Sequence, residues 1–217
     1  MTSDTLASDG APASRPRRRI LAALGLLALA VAPIPATTVL ELDFLAIHER
    51  AGVIFHGRCI SRTEVPGGDP LPFAEYVFEV IEPLKGCLDE RGDPVKKLTV
   101  RHAGTRKGRP RPDGTVAPPL RLGIPEHEPG EEVILFLTPE SRLGLCAPVG
   151  LVQGKFQVAR TGDKAVVRNG LGNRGLFART APSAFRTLKA DAATAIRPDP
   201  GDIDLTTFLE LCKEARR

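Results

Sequence analysis

The chain has 217 residues, of which 42% are hydrophobic and 26% charged, with a formal net charge of +4. This is ordinary globular composition for one or two domains. It has 21 Gly and 20 Pro, well above the usual combined share of about 12%, which excludes a coiled coil or long helical bundle and suits a turn-rich β protein. Aromatic side chains are few, with nine Phe, one Tyr and no Trp, so a base-stacking surface for nucleic acid is not expected.

At the N-terminus, Arg15-Pro16-Arg17-Arg18-Arg19 is followed by an uncharged run from Ile20 to Ala32 and then by Ile34-Pro35-Ala36. Basic, apolar and small residues in that order predict a secretory signal over 1–36. The apolar run falls short of the ~20 residues that a spanning helix needs, so no membrane span is expected once the signal is cleaved. Arg17-Arg18-Arg19 loosely resembles a twin-arginine signal, but an ordinary basic n-region is the preferred reading. Residues 1–36 carry four Arg and two Asp, so their removal leaves a net charge of +2. Half of the basic balance therefore belongs to the signal.

The rest divides into a β domain over 37–177, a flexible tether over 178–201 and a C-terminal helix over 202–217. Thr38 to Glu49 is predicted as a short helix, with Thr38 and Glu41 at capping-box spacing and Gly52 as a left-handed cap. Strands are predicted over 53–63 and 73–81, the second alternating cleanly. A third strand covers 96–102. Residues 104–125 hold five Pro and read as a long exposed loop. Glu131 to Thr138 is a nearly continuous apolar strand, suited to burial on both faces. Strands over 143–149, 155–160 and 165–168 follow, the last two joined by a Gly162-Asp163 hairpin. Gly170-Leu171-Gly172-Asn173-Arg174-Gly175 has dinucleotide-loop spacing, but no convincing helix follows and it is read as a β turn. In the final helix Asp204 is the start, Ile203 and Phe208 form a hydrophobic staple, and Leu205, Phe208, Leu209 and Cys212 share one face. The fold class expected is mainly β: a small closed Greek-key barrel of OB type with a helix at each end.

Four cysteines, Cys59, Cys87, Cys146 and Cys212, are disulfide candidates in an exported chain. Four allow three pairings; Cys87–Cys146 with Cys59–Cys212 is the first choice, and buried free thiols at Cys59 and Cys212 are the alternative. No metal or cofactor site is expected. His48, His56, His102 and His127 lack metal-ligand spacing and read as surface or strand histidines. No catalytic constellation is visible. If residues from different loops converge into a small hydrolase, His56, His102 and Cys146 are its first targets. Arg101, Arg106, Lys107, Arg109 and Arg111 lie within eleven residues with no acid among them, a candidate binding loop for an anionic glycan or an acidic protein.

The stretch Ala51-Gly52-Val53-Ile54-Phe55-His56-Gly57-Arg58-Cys59, continued by Tyr76-Val77-Phe78-Glu79-Val80-Ile81 and Leu84-Lys85-Gly86, resembles the first two strands of netrin-like domains, the barrel shared with tissue inhibitors of metalloproteinases. Gly130-Glu131-Glu132-Val133-Ile134-Leu135-Phe136-Leu137 resembles their next core strand. Gly150 to Phe156 resembles a segment of exported bacterial proteins of the same layout. The resemblance spans about residues 42–160 and rests on apolar alternation and turn glycines. It implies a non-enzymatic module that binds an exported protein such as a protease. The animal inhibitors chelate the protease zinc through an N-terminal Cys. Here no Cys precedes Cys59, so that mode does not carry over.

Overall fold

A computed structural model describes residues 40–67, 71–185 and 187–215. The expected signal, and Thr38 of the expected capping box, lie outside the described residues. Helix α1 spans Phe44–Arg50, and its N-cap is Asp43, whose carboxylate accepts from the Ala46 N–H at 2.9 Å. Leu42, ahead of the helix, instead donates its N–H to Gln153. At the other end, the C-cap Ala51 is extended, and the Lys85 ammonium donates to the carbonyls of His48 and Glu49. That cation at a helix C-terminus satisfies orphan acceptors and suits the dipole. Gly52 is therefore not the left-handed cap. A Cβ there would sit 3.0 Å from the Pro139 backbone.

Strands β1 (Val53–Val65), β2 (Phe73–Lys85) and β3 (Lys97–Ala103) form an antiparallel meander. A small hairpin of β4 (Arg109–Pro110) and β5 (Val116–Ala117) follows. The chain then returns to place β6 (Glu132–Leu137) against β1. β7 (Lys155–Thr161), β8 (Lys164–Asn169) and β9 (Ile203–Asp204) extend the sheet to the order β3-β2-β1-β6-β7-β8-β9. The four strands β3-β2-β1-β6 are a Greek key: a meander, then a fourth strand back beside the first.

The sheet is not closed into the expected barrel. β3 and β7 do not pair. Residues 143–149, expected as a strand, form turns and irregular chain with a single bridge, from Pro148 to Leu137 of β6. Thr138 donates to Ala147 beside β6, and Cys146 donates to the Arg101 carbonyl of β3 at 2.9 Å. This connection covers part of the β3 edge where a closing strand would lie.

β6 is buried at every position, and its alternation divides the interior into two cores. Val133, Leu135 and Leu137 join Phe55, Tyr76, Phe78 and Val100 on one face. Ile134 and Phe136 join Phe44, Phe156, Phe208 and Leu211 on the other. This second core is roofed by α1, by α2 (Ala190–Ala195) and by α3 (Leu205–Glu214). Asp204 caps α3 through the Thr207 N–H, and both staple residues, Ile203 and Phe208, are buried. On the α3 face, Leu211 is fully buried where Leu209 is only partly so.

Residues 178–201 are not a free tether. Phe185 and Ala192 are buried in the helical core, α2 packs on α3, and Lys189 pairs with Glu210. The Gly-rich turn is held by two asparagines: Asn169 and Asn173 each accept the other's backbone N–H, while Asn173 donates to the Val167 and Gly201 carbonyls. Among the described residues, no helix is long and apolar enough to cross a membrane.

Candidate functional site

A groove of about 1020 Å³ opens where α1 ends and β2 runs out. Its shape comes from one close approach. Gly86, at φ +66°, follows β2 so tightly that a Cβ would lie 2.3 Å from the Gly52 carbonyl oxygen. The chain then turns through Cys87, whose thiol donates to the Ile54 carbonyl, into a loop pinned by Asp89, which accepts from the N–H groups of Arg91 and Asp93. Leu88 and Pro94 bridge the loop. Leu45, Pro83, Leu88 and Pro94 give the groove an apolar lining, with Ala184 and Ala215 also on its wall. Leu88 is 60% exposed. Lys85 is turned toward the α1 carbonyls, and its ammonium and the Glu49 carboxylate both belong to the groove's lining.

A second cleft, about 260 Å³, lies beside the meander core. A bulge between Cys59 and Ser61 places Arg62, not Ser61, opposite Tyr76. Such a bulge re-aims a side chain, and here it sets the guanidinium 5.8 Å over the Tyr76 ring. Residues 120–126 wall the cleft. Glu126 ties them down, pairing with Arg62 at 3.1 Å and also with Arg106. Behind the cleft, His102 and His127 meet through their Nε2 atoms at 3.3 Å, and the Cys146 carbonyl accepts from His102 Nδ1 at 2.8 Å. Burial holds His102 down at about 4 and lowers His127 as well. Burial likewise pushes Tyr76 up to about 12.

His56 stands on the opposite face, on β1. Its Nε2 lies 2.8 Å from Glu132, which also receives a two-pronged grip from Arg160 and a longer contact from Arg58. Hydrogen bonds from Arg160 first, and then His56, hold the Glu132 carboxyl at about 2.

All four histidines are buried: His56 and His102 stand on strands, as expected, while His48, on α1, and His127, in the loop before β6, are not the surface residues expected. His56 and His102 fall on opposite faces and form no joint site. His102 reaches Cys146 through the peptide carbonyl; burial pushes the Cys146 thiol up to about 11, the wrong direction for a nucleophile. The four cysteines are free thiols, so neither disulfide of the first-choice pairing is formed. Cys59 and Cys212 belong to different cores, which separates them by the sheet. Burial raises Cys59 to about 11 and raises Cys212 further. Among the described residues, no three His, Cys, Asp or Glu side chains gather as a metal site.

The basic stretch is split by its neighbours. Arg101 pairs with Glu75 across β2 and β3, and Arg106 pairs with Glu126 and Glu128. The backbone N–H groups of Arg106 and Lys107 both donate to Glu64. Arg109 and Arg111 stand exposed on the β4–β5 hairpin and just beyond its first strand. Compared with known protein families, curated proteins and solved structures, the chain matches none.

Proposed function

We propose that this chain is an exported, non-enzymatic binding module that holds a segment of a partner protein in the groove between α1 and the end of β2. The observation that carries this reading is the groove itself. Its volume is that of a ligand site, and its lining is more apolar than polar, with His48, Glu49 and Lys85 among the apolar side chains, a pattern that binds through buried area and orients through polar contacts. Leu88 supplies exposed apolar surface at the rim and Glu49 supplies negative charge. The complementary partner segment is apolar and carries a Lys or Arg.

Export is supported by the order of basic, apolar and small residues in 15–36. The netrin-like reading is supported by the Greek key and by a long first strand, bulged at three places and shared between β2 and β6, as a partly open barrel requires. A secreted protease stays within the class of partners proposed.

The test is capture of exported proteins from the source organism on the immobilised chain, followed by hydrogen-exchange mapping of the isolated pair. The expected result is protection at residues 45–49 and 83–94 and loss of capture in Leu88→Asp and Glu49→Lys. Capture indifferent to both substitutions, or protection elsewhere, overturns the groove assignment. Turnover of a substrate, abolished by one point substitution, overturns the non-enzymatic reading.

A second reading has its own observation. Lys107, Arg109 and Arg111 make no side-chain ion pair among the described residues, so a three-cation tip remains for an anionic glycan. Salt-sensitive retention on an anionic polysaccharide, lost in Arg109→Ala/Arg111→Ala, supports it. Retention unchanged by that pair of substitutions sinks it.

A further inference from the structure

Among the buried polar groups, the His102–His127 contact is arranged so that one proton is tolerated and a second is not. The Cys146 carbonyl can only accept, so His102 Nδ1 carries the hydrogen and His102 Nε2 presents its lone pair. The facing His127 Nε2 must then donate. His127 Nδ1 is left 3.6 Å from Glu131 Oε2, too far for a hydrogen bond, and is a buried atom without a hydrogen-bond partner. The two residues are 2% and 0% exposed.

We propose that the His102–His127 contact is an acid-released latch that holds residues 120–131 over the Tyr76 cleft. Neutral, the pair forms a chain from Cys146 through His102 to His127. A first proton on His127 Nδ1 faces the Glu131 carboxylate and leaves the Nε2 contact intact. A proton on His102 Nε2 replaces the acceptor with a donor. Two N–H groups and two cations then oppose each other at 3.3 Å. His127 is the only one of the two on the covering segment, so the strain is relieved by that segment swinging out.

The other groups around the pair do not offset this. β1 contributes the Arg62 cation and the Cys59 thiol, and β2 contributes Tyr76, which is neutral here. β7 contributes Lys155, which pairs with Glu131 at 2.8 Å and occupies much of its charge. The Cys146 thiol, from the β6–β7 connection, is neutral. From the segment itself, Glu126 is engaged by Arg62 and Arg106. Glu131 is held at about 2 despite its burial, with Lys155 and Gln157 both donating to it, so it stays ionised through the range in which the histidines titrate.

The sign follows from His102, whose neutral form the closed state favours, down to about pH 4. In an opened segment it returns to an ordinary histidine near 6.5. Between those limits the opening constant rises up to about tenfold per pH unit as the pH falls. The test is hydrogen-exchange protection of the full chain from pH 7 to 4. Protection over 120–131 is expected to fall along that slope while β7 and β8 keep theirs. His102→Gln is expected to flatten the slope. Should that variant misfold, His127→Gln serves in its place: its amide can turn an oxygen toward a protonated His102, which also flattens it. Tyr76, the single tyrosine of a chain without tryptophan, gives an unlabelled optical readout of the same opening. Flat protection in the unsubstituted chain overturns the latch, as does an equal slope in a folded variant, or loss of β7 and β8 protection together with 120–131.

Discussion

His56 and Glu132 face each other across β1 and β6 at 2.8 Å, and the two arginines that complete the cluster, Arg58 and Arg160, are each about half exposed. The carboxylate is thus buried while its countercharges reach water, an arrangement that limits the cost of burying charge. Glu132→Gln keeps the shape and removes the charge, and is expected to destabilise by about 2 kcal/mol, the scale of hydrogen bonds to a charged group. The carboxyl titrates at about 2 in the fold against an ordinary 4.5. Its contribution is present in full above about pH 5 and is lost as the pH falls through 2. Denaturant unfolding of both proteins across that range is expected to show the gap closing on the acid side.

Gly86 is expected to tolerate no side chain. Gly86→Ala combines a positive φ with a Cβ 2.3 Å from a carbonyl oxygen, and should cost well over the ~1–2 kcal/mol of left-handed strain alone. Gly92, at φ +85° with open space around it, isolates that strain. Gly92→Ala is expected to cost about 1 kcal/mol. Equal melting-temperature shifts in the two variants would contradict the close approach.

The cysteines give a chemical prediction. All four are buried thiols, so the native protein should resist alkylation for as long as it stays folded. Unfolded without reductant, it should take up four alkyl groups by mass spectrometry. Two disulfides would leave none.

Asn173 adopts φ +61°, and its side-chain amide makes hydrogen bonds with three backbone groups: the N–H of Asn169 and the carbonyls of Val167 and Gly201. Asn173→Gly keeps the backbone angle at ease and removes the amide. Asn173→Ala removes the amide and adds strain. Thermal unfolding is expected to rank them Asn, Gly, Ala, with the first step, on the order of 2–3 kcal/mol, larger than the second, about 1.

What the sequence displayed depended on whether the cause was local. Residues 131–138 show no polar alternation, and β6 has no polar face. Asp204, Ile203 and Phe208 stand at cap and staple spacing, and α3 begins there. The Gly162-Asp163 pair turns β7 into β8 as its composition demands. Thr38 and Glu41 match a capping box, yet α1 is capped by Asp43. Only the Gln153 side chain, far along the chain, draws Leu42 away from the helix. The basic stretch looked free of acids because Glu75, Glu126 and Glu128 arrive from other elements. Residues 178–201 looked like a tether because Ala and Pro dominate them, yet Phe185 and Ala192 are buried in the helical core and anchor the segment. The histidines gave no sign of burial. His56 and His102 alternate on strands like any polar residue, and His127 sits among prolines in what resembled an open loop.

β6 has a further consequence for how the molecule comes apart. Each of the two cores takes alternate side chains of this one strand, and neither can shed it without exposing apolar surface on the other side. Tyrosine fluorescence, which senses only the meander core, and far-ultraviolet dichroism, which senses helices and strands together, should therefore report one shared midpoint in denaturant at neutral pH. Assembly carries the reverse condition. β6 finds β1 only after the chain between β3 and β6 has folded back on itself, so the step that joins the two layers is a long loop closure, and folding should be slow for a chain of this size.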